Sequence, residues 1–123
     1  MTALDDAPTR VHSAWVGICR LDDLTVGRGV AALLGDTQIA IFRLSADRTD
    51  PDLRAIGNID PYGRAAVMSR GIVGDRDGEP TVASPLLKQV FSLNTGSCLD
   101  DETMTLPIFG IRVVDDVVEV CGC

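Results

Sequence analysis

The chain has 123 residues and a formal net charge of −7 at pH 7, a length that supports one hydrophobic core and leaves no room for a second domain of ordinary size. So acidic a chain lacks the concentrated Lys and Arg by which proteins hold nucleic-acid phosphates or anionic membranes, and both are excluded as partners. Apolar residues make up 46% of it, as in a globular protein, yet no apolar run approaches the ~20 residues of a membrane-spanning helix.

Residues 1–12 are small, polar and aperiodic, with Pro8 among them and the lone histidine, His12, at their end. They are expected to form a mobile arm before one folded domain over 13–121, with 122–123 as a tail. The arm has acidic residues and no apolar segment of the secretory kind, so a cytoplasmic protein is expected. Four cysteines, Cys19, Cys98, Cys121 and Cys123, are too few and too scattered for a disulfide framework, and reduced thiols fit that location.

Ser13 to Cys19 reads as a strand with Trp15 in the core, followed by a turn or a single helical turn at Leu21 to Leu24. Val30–Leu34 and Gln38–Arg43, separated by Gly35 and Asp36, predict a β-hairpin. From Leu44 to Leu53 the pattern gives way to a charged connection with Pro51, and Arg54–Asn58 then resumes a short strand. Asp75 to Pro80 is a polar hairpin turn. Asp115 and Asp116, which tolerate positive φ, join Leu106–Val114 to Val117–Cys121 in a last hairpin. Short strands broken by Gly, Pro and Asp, without a long helical period, predict an all-β antiparallel sandwich or small barrel.

Two X-Pro loops stand at its centre. Asn58-Ile59-Asp60-Pro61-Tyr62-Gly63 follows one apolar run, and Ala83-Ser84-Pro85-Leu86-Leu87-Lys88 follows Thr81-Val82 and leads into Gln89-Val90-Phe91. Proline fixes φ and extends the residue before it, so each is a sharp departure from a strand. The layout resembles that of the Rieske iron–sulfur domains, in which the first loop carries Cys-x-His, the second Cys-Pro-x-His, and an aromatic strand ending in a glycine turn follows. Asp60, Tyr62, Ser84 and Leu87 stand at the four ligand positions, with Phe91 and Asn94-Thr95-Gly96 in the later places. A closer resemblance is to the small subunits of the NAD(P)H-dependent assimilatory nitrite reductases, cluster-free relatives of those domains. It rests on Gln38–Arg43, Ser69–Asp75, Gly78-Glu79-Pro80, Val82–Leu86 and Gly96-x-Cys98-Leu99-Asp100-Asp101, and spans roughly Ser13 to Val120.

The residue chemistry agrees with the loss of the cluster. A Rieske [2Fe–2S] centre needs two thiolates on one iron and two imidazoles on the other; this chain has one histidine, about forty-five residues before the first loop. The cysteines lack the close spacing of ferredoxin ligands, and Cys121-Gly122-Cys123 reads as an exposed, flexible tail without function rather than a pair that traps a soft metal or oxidises. Asp60 reads as a turn-stabilising residue before proline, and Ser84, with no histidine to activate it, as a hydroxyl bonded to its own loop backbone. Neither a catalytic nor a metal-binding residue is expected.

The resemblance implies a non-catalytic partner of a large subunit that carries FAD, a [4Fe–4S] cluster and sirohaem and reduces nitrite to ammonium. Leu86 and Leu87, adjacent apolar residues at a loop tip, are expected to be exposed and to dock that partner, with Arg70 and Lys88 at the rim. Two rivals are a Rieske-type ferredoxin serving an oxygenase, opposed by the missing ligands, and a stand-alone β-barrel binder or enzyme using Asp60, Tyr62 and Lys88.

Overall fold

The computed structural model describes residues 14–122; the expectations for the arm, with His12, and for Cys123 lie outside them. Among the described residues eleven strands form three antiparallel sheets. The first joins β1 (Val16–Arg20), β11 (Val117–Cys121) and β10 (Gly110–Val114) in that order, and the second joins β2 (Gly29–Leu34), β3 (Thr37–Arg43) and β4 (Leu53–Gly57). The third runs β5 (Ile72–Arg76), β6 (Glu79–Ala83), β7 (Val90–Ser92), β8 (Ser97–Cys98) and β9 (Asp101–Thr105). Two single 3₁₀ turns, Leu21–Asp23 and Met68–Arg70, are the helical content of the described residues.

Strand β3 is the hinge of the packing. Its alternate side chains enter two cores: Ala40 and Phe42 join Ile56, Met68, Val82 and Phe91, while Ile39 and Ile41 join Leu21, Leu34, Val118 and Val120. The central sheet is thus covered on both faces, which explains the unbroken apolar run Ile39-Ala40-Ile41-Phe42 where a half-exposed strand would alternate. The sandwich has a third layer that the sequence pattern did not reveal. Each buried aromatic or aliphatic side chain contributes about 1.5–3 kcal/mol.

Turn chemistry fixes the registers. Gly35 and Asp36 close Leu34 onto Thr37, and Asp77 (φ 54) with Gly78 (φ 89) closes Arg76 onto Glu79. Asp115 and Asp116, at φ 51 and 67, close Val114 onto Val117. In the last two both central residues have positive φ, the requirement of a tight two-residue hairpin loop. Trp15 departs from expectation: it is half-buried, with the Arg112 guanidinium 4.1 Å above its ring. Cation–π contact and an apolar body with one wet face suit this rim position.

Arg43, at the end of β3, is 7% exposed. Its guanidinium donates to the carbonyls of Ser45 (2.9 Å), Ala46 (3.2 Å), Leu21 (3.3 Å) and Leu24 (3.5 Å), tying the charged 44–52 connection to the first 3₁₀ turn. On the surface of that connection Arg48 bridges Asp22 and Asp116. Its hydrogen bond and charge hold the Asp22 carboxyl below the usual carboxylate range. A depressed folded-state value stabilises the fold above the ordinary carboxylate range, and that contribution is lost as pH falls through the folded value. Arg48→Ala is therefore expected to move the Asp22 titration upward, read as a carboxyl chemical-shift titration by NMR; an unmoved midpoint would show that Arg48 is not the cause.

Candidate functional site

Loop one leaves β4 at Asn58 and is closed by that residue. The Asn58 carbonyl accepts from Met68 N–H at 3.1 Å and its side-chain oxygen from Ser69 N–H at 2.8 Å. Within the loop Asp60 N–H donates to the Ala65 carbonyl (2.9 Å), and Arg64, at φ 61, returns its N–H to the Asp60 carbonyl (2.7 Å). Loop two is tied the same way: Ser84 N–H donates to the Gln89 carbonyl (2.9 Å), and Lys88, at φ 62, donates its N–H to the Ser84 carbonyl (3.0 Å). Both X-Pro segments are thus tight, internally bonded loops.

They are also locked to each other. Asp60 and Ser84 are 0% and 1% exposed, and the Ser84 hydroxyl donates to Asp60 Oδ2. Asp60 Oδ1 accepts from the N–H groups of Tyr62 (2.7 Å) and Gly63 (3.3 Å), and Ser84 Oγ accepts from Leu86 N–H (3.3 Å). A buried carboxylate needs such a set of donors to remain in place. The expected turn role of Asp60 and the backbone bond of Ser84 are present; the bond between them, across 24 positions, has no signal in the sequence. Leu86 lies against loop one: a Cβ on Gly63 would sit 2.5 Å from its Cδ1, so a larger residue there would push the end of that side chain aside.

Tyr62 turns elsewhere. Its hydroxyl lies 3.0 Å from Asp101 Oδ2 and 3.5 Å from Cys98 Sγ, and its ring is 6.3 Å from that of Phe91. The hydrogen bond to Cys98, burial and the Asp101 carboxylate together hold the phenol above its ordinary range, so it stays protonated at neutral pH. Asp101, absent from the expected site, is itself held below the usual carboxylate range, first by its bonds to Thr103 and then by Tyr62. Asp60 and Tyr62 therefore face different partners, and Lys88 is exposed; the three do not share a reaction site.

The four ligand positions do not fit an iron–sulfur cluster. Asp60 and Ser84 satisfy each other, Tyr62 is a neutral phenol and Leu87 has no donor atom, while the chemistry demands two thiolates and two imidazoles. Among the described residues no group of three His, Cys, Asp or Glu side chains is placed to hold a metal ion. Cys98 is buried, and burial, then the Asp23 carboxylate, pushes the Cys19 thiol up. Cys121, expected in a flexible terminal pair of reduced thiols, is instead buried at the end of β11 and disulfide-bonded.

What the loops do present is apolar surface. Leu86 and Leu87 are 45% and 60% exposed, and Ile72, opposite Ala83 at the base of loop two, is 73% exposed. Arg70 and Lys88 flank them, both exposed and neither in an ion pair among the described residues. No described helix is long and apolar enough to cross a membrane.

Residues 14–121 match the Rieske-like [2Fe-2S] domain, and the chain belongs to that family of folds. The chain is 44% identical over 110 residues to the nitrite reductase (NADH) small subunit of Escherichia coli K12, an alignment covering 89% of this chain and 99% of that one. Within the Rieske-like domains it belongs with these nitrite reductase small subunits. The NMR structure of the Escherichia coli protein NirD superposes with a TM-score of 0.79 at 44% identity, over 88% of this chain and 96% of that one. A nitrite reductase [NAD(P)H] large subunit of Klebsiella oxytoca contains a stretch 35% identical over 111 residues, which is 90% of this chain and 11% of that one.

Proposed function

We propose that this chain is the small, non-catalytic subunit of an NAD(P)H-dependent nitrite reductase, a single Rieske-like unit over 13–121 that docks on the large subunit through its two-loop face. The near end-to-end identity with a small subunit of that enzyme carries the reading. The Klebsiella relative supports it, because a covalently joined copy of the domain implies that it works beside the catalytic chain. Redox chemistry then belongs to the large subunit, with FAD, a [4Fe–4S] cluster and sirohaem, acting in the cytoplasm on nitrite. The loop face supplies apolar anchors in Leu86 and Leu87 and rim charges in Arg70 and Lys88, the make-up of a docking patch.

The test is reconstitution. The large subunit from the same source should co-purify with this chain, and its NAD(P)H-dependent nitrite reduction should rise or become stable when the chain is added. Absence of both effects would overturn the proposal. The chain alone should carry no stoichiometric iron after anaerobic incubation with iron and sulfide; about two irons per chain, the content of a Rieske centre, would revive the ferredoxin reading.

A further inference from the structure

Strand β5 is the outermost strand of the five-stranded sheet, paired with β6 on one side. The direction of its free backbone groups follows from Pro80. That residue has no N–H, and its carbonyl accepts from Leu93 N–H at 2.9 Å on the β7 side. The Asp75–Pro80 pair is therefore not hydrogen-bonded, and by alternation neither is Val73–Val82. The N–H and C=O groups of Val73 and Asp75 thus point outward from the sheet. The strand keeps a regular register and contains no proline and no bulge, two of the devices that close an edge, although it does carry the charged residues Asp75 and Arg76.

A trough runs beside this edge. Two hollows, of about 430 and 360 Å³, share Gly27 and Val73 in their walls. The first reaches Arg28, Ser69 and Arg70, and the second extends along Gly74 and Asp75. Arg28 and Arg70 are both exposed and make no ion pair among the described residues. Two unopposed guanidinium groups at one hollow of a chain with net charge −7 form a locally basic end, and guanidinium suits bidentate capture of a carboxylate.

We infer that β5 is a docking edge to which an extended, acidic segment of the large subunit adds as a further strand. Main-chain bonds to Val73 and Asp75 hold the segment, and Arg28 and Arg70 receive its carboxylate. This rests on the proposed partnership and extends it beyond the loop tips.

Amide exchange on the ¹⁵N-labelled chain, free and in complex with the large subunit, tests it. Free, Val73 and Asp75 should exchange quickly while Gly74 and Arg76 are protected; in the complex both should slow by at least ~10-fold. Asp75→Pro deletes an outward N–H and should weaken binding about tenfold more than Asp75→Ala, which removes the same side chain and keeps the N–H. Arg28→Glu, off the loop tips, should weaken it about tenfold, less so at high salt. Normal binding with both amides still exchanging quickly would overturn strand addition and leave docking by the loops standing. Protection that appears in the isolated chain and grows with its concentration would assign the edge to a second copy, against the inference. Failure to bind the large subunit at all would overturn both readings.

Discussion

Asp60→Ala should lower the stability of the chain by about 3 kcal/mol, the cost of leaving buried donors without their acceptor. The Ser84 hydroxyl and the Tyr62 and Gly63 amides all lose a carboxylate oxygen inside a site closed to water. Thermal or urea melts would measure the loss. Asp60→Asn keeps one carbonyl oxygen and the side-chain shape, so it should recover part of it. A melt unchanged in Asp60→Ala would mean that the loops are held by their own backbone bonds alone, and that the bond between them is incidental.

Leu87→Asp should weaken assembly with the large subunit by at least ~2 kcal/mol, roughly 30-fold, because binding energy concentrates in a few anchors that become fully desolvated. Of the two leucines, Leu87 gives the cleaner measurement. Leu86 also rests on Gly63, so Leu86→Asp should both loosen the loop pair and impair docking, whereas Leu87→Asp should melt like the parent chain. Lys88→Ala should mainly alter the salt dependence. Titration of the large subunit with each variant gives the affinities directly. Parental affinity in both leucine variants would move the docking site off the loop tips.

The local grammar of the chain was legible where one or two residues decide the outcome. Asp115 and Asp116 adopt the positive φ that the turn demands, and the polar turn between β5 and β6 closes where Asp77 and Gly78 require it. The two X-Pro loops were legible as shapes. What the sequence withheld depends on contacts between distant segments. Trp15 looks like a core residue until Arg112 is brought over its ring by the pairing of β1, β11 and β10. Arg43 is visible only as the last residue of a strand, and nothing near it announces the four carbonyls from two separate segments that converge on it. Asp60 and Ser84 each have an adequate local explanation, and for that reason nothing in either loop announces the other. Asp101 was visible as part of a resemblance but not as the partner of Tyr62.

The bond between Asp60 and Ser84 also bears on how the protein is made. A loop pair clamped by an iron–sulfur cluster is complete only after the cell has delivered metal and sulfide to it, and oxygen or a chelator can undo the result. Here the clamp consists of two side chains supplied by translation itself, so the pairing of the two loops is complete when the chain folds. The bond itself calls for no metal and no sulfide, and a hydroxyl paired with a carboxyl offers oxygen nothing to oxidise. A clamp of this kind takes its shape from the chain's own folding, with no later step required to join the loops.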